Sequence, residues 1–214
     1  MICVVSAIDS EITELVKLTK AVKTEGDIWV CPEQSLIISS LGVGYLTAAI
    51  RLQYLLNLHQ ETDNVLFCGT AGIYNKESDL GIGDVVQSHS TCLCDGAAEI
   101  GLSVYTSILK RGSIESDMLM NRPKKKVKVL TALSFTKSND LATKLYSNTN
   151  CDIENMELYG IASVCQGGRV RWNSMLGLTN FVGENGHLEW ITNHLDVEKS
   201  VCHRVFDWLS LRNQ

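Results

Sequence analysis

Short, continuous apolar runs recur along this chain and alternate with segments in which apolar residues have helical spacing. Residues 2–7 form an unbroken run, typical of a strand buried on both faces, and residues 10–18 follow with helical spacing. Residues 65–68, 127–133 and 174–179 also have the composition of strands. Because strands and helices alternate throughout, the sequence predicts an α/β fold in which helices flank a mixed central β-sheet.

Local patterns predict the elements that connect these strands. A hairpin is expected across residues 29–39, a helix after Gly42-Val43-Gly44 and another helix over residues 140–146. The strand that begins at residue 65 is expected to stop at the small residues 69–72. An amphipathic pattern over residues 197–211 predicts a final helix.

Length and composition are those of one globular domain spanning residues 1–214. Apolar residues make up 45% of the chain and charged residues 20%. A chain of this length can bury about 70% of the surface that it exposes when unfolded. The apolar runs fall well short of the roughly 20 residues of a membrane span, and the N-terminus lacks the features of a signal peptide. We therefore expect a cytoplasmic protein that does not bind membranes.

Charge and cysteine content argue against two further classes of protein. A formal net charge of −5 argues against a general nucleic-acid binder. The basic run at residues 122–128 is interpreted as a solvated loop entering a strand, with a phosphate site as the alternative. The eight cysteines include no Cys-x-x-Cys pair, so we expect small buried side chains and no metal site.

Residues 154–165 place the carboxylate of Glu157 beside a predicted buried stripe. Leu158, Ile161, Ala162 and Cys165 are spaced at i, i+3, i+4 and i+7, which indicates a helix with one apolar face. Glu157 lies off this stripe and is expected in the first turn, where a strong hydrogen-bond acceptor stands beside a hydrophobic wall. A purely structural explanation is that its charge complements the helix dipole.

Small or polar residues follow three of the predicted buried strands. These segments are residues 7–11, residues 69–72 and Thr179-Asn180. In an open α/β sheet, ligands bind beyond the carboxyl ends of the strands. The sequence therefore predicts one pocket in which Glu11, Glu157 and Asn180 meet, although Asn180 could instead cap a turn.

The order of several short motifs resembles that of a known enzyme family. In chain order, the motifs are Ser6-Ala7-Ile8-Asp9-Ser10-Glu11, Gly42-Val43-Gly44, Cys68-Gly69-Thr70-Ala71-Gly72, Gly83-Asp84-Val85-Val86, Asn155-Met156-Glu157, and Thr179-Asn180-Phe181-Val182-Gly183 with Trp190 downstream. They resemble the nucleoside phosphorylase and hydrolase superfamily, which includes methylthioadenosine/S-adenosylhomocysteine nucleosidase and futalosine hydrolase. The resemblance covers nearly the whole chain, and its last motif is most similar to futalosine hydrolase.

The resemblance implies a role for each polar residue of the predicted pocket. Glu157 would hold the ribose hydroxyls, Met156 would pack on the sugar and Glu11 would polarise the attacking water. Cleavage of an N-ribosidic bond develops oxocarbenium-like charge, which nearby carboxylates stabilise in a dry site. Asn180 matches an aspartate of the adenine-acting nucleosidases, and its amide can accept from protonated N7 and donate to O6. That pattern suits hypoxanthine better than adenine.

The same resemblance assigns further residues to the pocket wall. Val43 would line the sugar and base, Thr70 would lie near the water site, and Phe135 would stack on the purine unless it belongs to the core. The predicted substrate-binding residues are Ala7, Val43, Thr70, Ala71, Gly72, Phe135, Met156 and Trp190. No cofactor is implied.

The activity implied by the resemblance is hydrolysis of futalosine to hypoxanthine and dehypoxanthine futalosine in a menaquinone pathway. A methylthioadenosine/S-adenosylhomocysteine or aminodeoxyfutalosine nucleosidase is an alternative. A catalytically silent nucleoside-binding protein is another, because the family usually has arginine at the position of Leu176, and Arg169 and Arg171 need not replace it. Phosphorolysis is disfavoured because the phosphorylases hold phosphate with an arginine in the first glycine-rich loop, and no arginine precedes Arg51.

The resemblance also implies a homodimer. In the family, a loop of the partner subunit closes the 5′ side of the pocket. Residues 88–122 show weak periodicity and are the candidate for this loop.

Overall fold

A computed structural model describes residues 1–104, 112–120 and 125–212. The strands are β1 (Ile2–Ser6), β2 (Val22–Lys23), β3 (Ile28–Cys31), β4 (Leu36–Ser40), β5 (Asn64–Ile73), β6 (Val85–Cys94), β7 (Ser113–Glu115), β8 (Lys126–Ala132), β9 (Ile153–Asn155) and β10 (Arg171–Phe181). The helices are α1 (Ser10–Thr19), α2 (Tyr45–Leu58), α3 (Gly96–Glu99), α4 (Asn139–Thr149), α5 (Leu158–Gly168) and α6 (Gly186–Arg212). The α/β class with a mixed central sheet is confirmed.

The central sheet is partly closed on itself. Its strand order is β10-β6-β8-β9-β5-β1-β4-β3-β2, and β10 also pairs with β5, so β5, β10, β6, β8 and β9 form a ring. Strand β1 pairs in parallel with β5 on one side and with β4 on the other. Strands β5 and β10 are also parallel, which brings the carboxyl ends of β1, β5 and β10 to one edge of the sheet.

Two strand boundaries predicted from sequence are wrong. Strand β5 does not stop at residues 69–72 but continues to Ile73, because β10 pairs with it over its full length. Strand β10 begins at Arg171, so Trp172 and Asn173 lie inside the strand rather than before it. In both cases, hydrogen bonds to a distant strand override the local sequence signal.

The final helix is also longer than predicted, since α6 begins at Gly186 rather than near residue 197. Its first turns expose Leu188, Ile191 and Leu195, so apolar residues in this part do not mark one buried face. The region 88–122, which was predicted as a loop, includes the end of β6, helix α3 and strand β7. Its residues 105–111 and 121–122 lie outside the described residues.

Helix α5 and its packing agree with the sequence pattern. Leu158, Ile161, Ala162 and Cys165 are all completely buried. A β-carbon at Gly160 would collide with the backbone of Tyr45, so this glycine allows α2 and α5 to approach closely. This contact brings the loop before α2 next to the start of α5.

All eight cysteines are buried, as predicted. Within the described ranges, no helix is both long enough and apolar enough to cross a membrane.

Candidate active site

A cleft opens at the edge of the sheet where β1, β5 and β10 end. It contains about 940 Å³ of empty space, including the part open to solvent. The structure brings every predicted site residue to its wall: Ala7, Glu11, Val43, Thr70, Ala71, Gly72, Phe135, Met156, Glu157, Asn180 and Trp190. The cleft has the size and the largely apolar lining of a small-molecule site with a few converging polar groups.

Glu11 lies in the first turn of α1 and is 5% exposed. The backbone N–H groups of Ala7 and Ile8 donate to its Oε2 at 2.9 and 3.3 Å. The backbone N–H and the hydroxyl of Thr70 donate to its Oε1 at 3.0 and 3.3 Å. Burial, with a further contribution from the charge of Glu157, raises the pKa of Glu11 to about 8. The carboxyl group can therefore change its protonation state near neutral pH.

Glu157 faces the cleft from the start of α5, at the N-cap position rather than in the first turn. It is 4% exposed, and its Oε1 accepts a hydrogen bond of 2.9 Å from the backbone N–H of Gly44. Its Oε2 accepts one of 3.2 Å from the backbone N–H of Met156. Burial raises its pKa above the usual value. Each carboxylate oxygen keeps room for another donor, such as a sugar hydroxyl.

Asn155 holds Glu157 in place, a role that the sequence did not reveal. Its Oδ1 accepts from the backbone N–H groups of Glu157 and Leu158 at 2.8 and 3.0 Å, which satisfies two donors at the start of α5. Its Nδ2 donates to the carbonyl of Thr70 at 3.1 Å. One side chain thus couples the strand that carries Thr70 to the helix that follows Glu157.

Asn180 lies near the end of β10, and its side chain lies over Gly72. A β-carbon at Gly72 would come within 2.7 Å of Asn180 Nδ2, so the glycine makes room for the amide. Asn180 Oδ1 accepts from the hydroxyl of Thr179 at 2.8 Å, and Nδ2 donates to the carbonyl of Phe181 at 3.2 Å. Each amide atom can make one more hydrogen bond, so the amide can offer a ligand both an acceptor and a donor.

Aromatic rings form the outer wall of the cleft. Phe135 is 48% exposed, so it is not a core residue, and its ring stacks on His187 at 5.6 Å between centroids. His187 stacks in turn on Trp190 at 6.1 Å. Trp190 Nε1 donates to the Thr70 hydroxyl at 3.3 Å, and that hydroxyl donates to Glu11. The aromatic wall is therefore connected to the buried carboxylate through Thr70.

Sequence reasoning assigned no role to several residues that line the cleft: Ile8, Thr136, Glu154, Asn155, Thr179, Val182, Gly186 and His187. Some of them belong to the motifs, so their place in the chain was a usable signal. Thr136 and Glu154 carried no such signal, because they meet through a hydrogen bond between residues 18 positions apart.

Neither the position where arginine was expected nor the two arginines near it in sequence contributes to the cleft lining. Leu176, at the position where arginine was expected, is completely buried in the core. Arg171 begins β10 at the end opposite Asn180 and pairs with Asp63 at 3.3 Å. Arg169 ends α5. Among the described residues, the lining of the cleft includes neither lysine nor arginine.

This arrangement favours chemistry on a neutral ligand that develops positive charge. Three buried carboxyl side chains, Glu11, Glu154 and Glu157, line this largely apolar cleft, where the low local dielectric strengthens the attraction between an ionised carboxylate and a positive charge. An amide on the opposite wall can bind a polar ring edge. Among the described residues, no cluster of three or more histidine, cysteine or carboxylate side chains could hold a metal ion.

The chain belongs to the phosphorylase superfamily, whose family model matches residues 1–208. No curated protein sequence matches the chain significantly.

Solved structures of nucleosidases have the same fold. A 5′-methylthioadenosine/S-adenosylhomocysteine nucleosidase from Helicobacter pylori, crystallised with butyl-thio-DADMe-Immucillin-A, superposes with a TM-score of 0.84 at 17% identity, covering 98% of this chain and 97% of that one. Futalosine hydrolase of H. pylori superposes with a TM-score of 0.80 at 17% identity, covering 100% and 97%. The nucleosidase from Neisseria meningitidis gives 0.81 at 16% identity, covering 97% of each chain. At these identities, the comparisons establish a common fold.

Proposed function

We propose that this protein is a purine nucleosidase that hydrolyses the N-glycosidic bond of a 6-oxopurine nucleoside, with futalosine as its substrate and hypoxanthine as the released base. The observation that carries the proposal is the convergence of Glu11, Glu157 and Asn180 on one cleft. The membership of the chain in the phosphorylase superfamily supports it.

The two carboxylates suit cleavage of a ribosidic bond. Glu157 accepts sugar hydroxyls and stabilises the positive charge that develops on the ribose as the bond breaks. Glu11 polarises a water molecule that attacks the anomeric carbon, and Thr70 fixes the orientation of its carboxylate. The raised pKa of Glu11 helps this role, because a base whose pKa lies near the working pH is effective in proton transfer.

Hydrolysis is proposed rather than phosphorolysis because of the charge of the cleft. A phosphate nucleophile needs basic side chains, and the described lining has carboxylates but neither lysine nor arginine. The carboxylates would repel a phosphate anion, whereas a neutral water molecule is not repelled.

The choice of base rests on Asn180. With one free acceptor and one free donor, its amide can accept from protonated N7 and donate to O6 of a 6-oxopurine. The 6-amino group of adenine would instead meet the amide donor. This distinction makes hypoxanthine the proposed leaving base.

A panel of nucleosides tests the proposal directly. Purified protein is incubated with futalosine, inosine, adenosine, methylthioadenosine or S-adenosylhomocysteine, and the released bases are separated by chromatography. We expect hypoxanthine from futalosine at the highest kcat/KM. Faster release of adenine from methylthioadenosine would replace futalosine by the adenine alternative.

We expect Asn180→Asp to shift base preference toward adenine nucleosides. A protonated carboxyl group can still serve N7, and the donor that faces the 6-position is removed. Placing a buried donor against a donor costs roughly 1–3 kcal/mol, so the ratio of kcat/KM for a 6-oxopurine over a 6-aminopurine nucleoside should fall about ten- to a hundredfold. The ratio is measured with matched 5′ groups, such as inosine and adenosine. An unchanged ratio would show that Asn180 does not contact the purine edge.

Two other functions remain as alternatives. An adenine nucleosidase is favoured by the fold similarity to methylthioadenosine/S-adenosylhomocysteine nucleosidases and requires the Asn180 amide to be flipped. A silent nucleoside-binding protein is favoured by the buried Leu176, since no arginine lines the described cleft. Detectable turnover of any nucleoside at micromolar enzyme would exclude the silent alternative.

We also propose that two copies of the chain associate through α2. Leu46, Ile50, Tyr54 and Leu58 form a stripe along this helix, and each is more than half exposed. The stripe continues toward Val43, which is also exposed and lines the cleft. A contiguous apolar surface of this kind is typical of a protein interface. Its place beside the cleft would let a partner subunit close the open side.

The proposed interface also includes part of residues 88–122, the segment predicted to provide the partner loop. Two apolar side chains of this segment, Leu102 and Val104, are 79% and 90% exposed. A second copy would remove such apolar side chains from water.

We expect Ile50→Glu to convert the dimer to a monomer, because burying an unpaired charge in an apolar interface is costly. Analytical ultracentrifugation measures the change. Thr143→Glu places the same charge on the exposed surface of α4 and should leave the dimer intact. A monomeric wild-type protein that is fully active would contradict the proposed assembly.

A further inference from the structure

Glu154 is a buried carboxylate on the cleft wall to which the proposed reaction gives no role. It is 7% exposed, and it lies on β9, away from the α1 and α5 positions of Glu11 and Glu157. A buried carboxylate is costly unless its oxygens accept hydrogen bonds, so the donors around Glu154 decide what else it can bind.

The register of the sheet places Glu154 and Asn180 on either side of the same glycine. Gly72 of β5 pairs with Glu154 on β9 and with Asn180 on β10. Residues that pair across neighbouring strands point to the same face, and two strand spacings separate their backbones by roughly 10 Å. Because Gly72 has no side chain, the amide of Asn180 and a methyl group of Val182 lie over it, which places the amide between its own strand and Glu154.

Hydrogen bonds fix Glu154 as an acceptor. The backbone N–H of Thr136 donates to its Oε1 at 2.9 Å. The hydroxyl groups of Thr136 and Tyr74 each donate to its Oε2 at 2.7 Å. Burial and the charge of Glu154 raise the pKa of Tyr74, so the phenol stays protonated and continues to donate. Of these donors, only one reaches Oε1, which leaves that oxygen able to accept from a ligand.

We propose that Glu154 accepts a hydrogen bond from the N1–H group of a 6-oxopurine. This inference rests on the function proposed above and adds a second residue that recognises the base. On such a base, O6 lies between N7 and N1, so an amide at N7 and O6 leaves N1–H directed to the opposite side. Across Gly72, that side is occupied by Glu154, and the neighbouring Phe135 provides a stacking surface. Adenine has a lone pair at N1, which a carboxylate acceptor repels. Glu154 and Asn180 would therefore select a 6-oxopurine from two sides.

The test measures base binding and turnover separately. Hypoxanthine, adenine and 1-methylhypoxanthine are titrated calorimetrically into wild-type protein. We expect hypoxanthine to bind at least about tenfold more tightly than either of the others, because both lack N1–H. Equal affinity for hypoxanthine and 1-methylhypoxanthine would overturn the proposal, and this result requires no variant.

Glu154→Gln provides the second readout. We expect the preference for inosine over adenosine in kcat/KM to fall by about tenfold or more, and the preference for free hypoxanthine over adenine to fall in parallel. Tyr74→Phe is the matched control, since it removes a donor to Glu154 from a residue that does not line the cleft. It should lower thermal stability but keep the base preference. A Tyr74→Phe protein that loses the preference to the same extent would indicate a purely structural role for Glu154.

The two proposals fail in different ways. If wild-type protein releases no base from any nucleoside but binds hypoxanthine selectively, the nucleosidase proposal fails and the role of Glu154 stands. If it hydrolyses inosine but Glu154→Gln leaves the base preference unchanged, the role of Glu154 fails and the nucleosidase proposal stands. Absence of both binding and turnover would contradict both.

Discussion

Glu11→Gln should lower kcat for nucleoside hydrolysis at least ~100-fold while the protein stays folded. The amide keeps the size of the side chain but cannot take a proton from the attacking water. Glu11 is positioned by backbone N–H groups of two separate segments, the turn before α1 and strand β5. The loss should therefore come from the chemical step rather than from displacement of the helix.

The pH dependence of this variant provides an independent check. With the pKa of Glu11 raised to about 8, wild-type kcat/KM should rise with pH until that carboxyl group is ionised. Glu11→Gln should lack this ionisation. For stability the sign is opposite: the native carboxyl group binds its proton more tightly than the unfolded one, so wild-type stability should fall as pH rises from about 5 to 8. The slope should be smaller in the variant.

Glu14→Gln is the matched control for Glu11→Gln. Glu14 lies three residues further along α1 and pairs with Lys17 at 3.4 Å near the surface. Its substitution should leave both kcat and the pH profile unchanged. Near-normal turnover by Glu11→Gln at every pH would show that this carboxylate does not take part in the reaction.

Glu157→Gln should also lower turnover at least ~100-fold, through loss of charge stabilisation at the sugar. In the structure, Glu157 is oriented by Gly44 and by its own helix start, so an amide can occupy the same position. It would still bind a sugar hydroxyl, but it would no longer supply a negative charge to the developing oxocarbenium ion. Steady-state kinetics and circular dichroism would separate this effect from unfolding.

A 2′-deoxynucleoside provides the control for Glu157. If this carboxylate binds the 2′-hydroxyl, removing that hydroxyl should slow the wild-type enzyme more than it slows Glu157→Gln. Non-additivity of this kind is expected only when the two groups interact. Equal effects of the deoxy substrate on both proteins would argue that Glu157 does not contact the 2′-hydroxyl.

Much of the fold follows from local sequence. The unbroken apolar run at β1, the helical spacing of α1 and the buried stripe of α5 depend on neighbours within a few residues, and the structure agrees with all three. The motifs also predicted which residues come together at the cleft. Their chemical roles are still to be tested by the experiments above.

The parts that sequence reasoning missed depend on distant contacts. Strand β5 extends past its glycines because β10 supplies backbone hydrogen bonds, and the sheet closes because β10 pairs with both β5 and β6. Glu154 gives no local signal, since its partner Thr136 lies on a different segment. Pairings of this kind are set by the whole sheet and leave no periodic pattern in one stretch of chain.

Hydrolysis in ¹⁸O-labelled water is the most direct test of the central claim. Wild-type protein is incubated with futalosine or inosine, with and without inorganic phosphate, and the products are analysed by mass spectrometry. The account predicts free hypoxanthine and one ¹⁸O atom at the anomeric carbon of the sugar, at a rate independent of phosphate. Formation of a sugar 1-phosphate, or no release of base at micromolar enzyme, would contradict it.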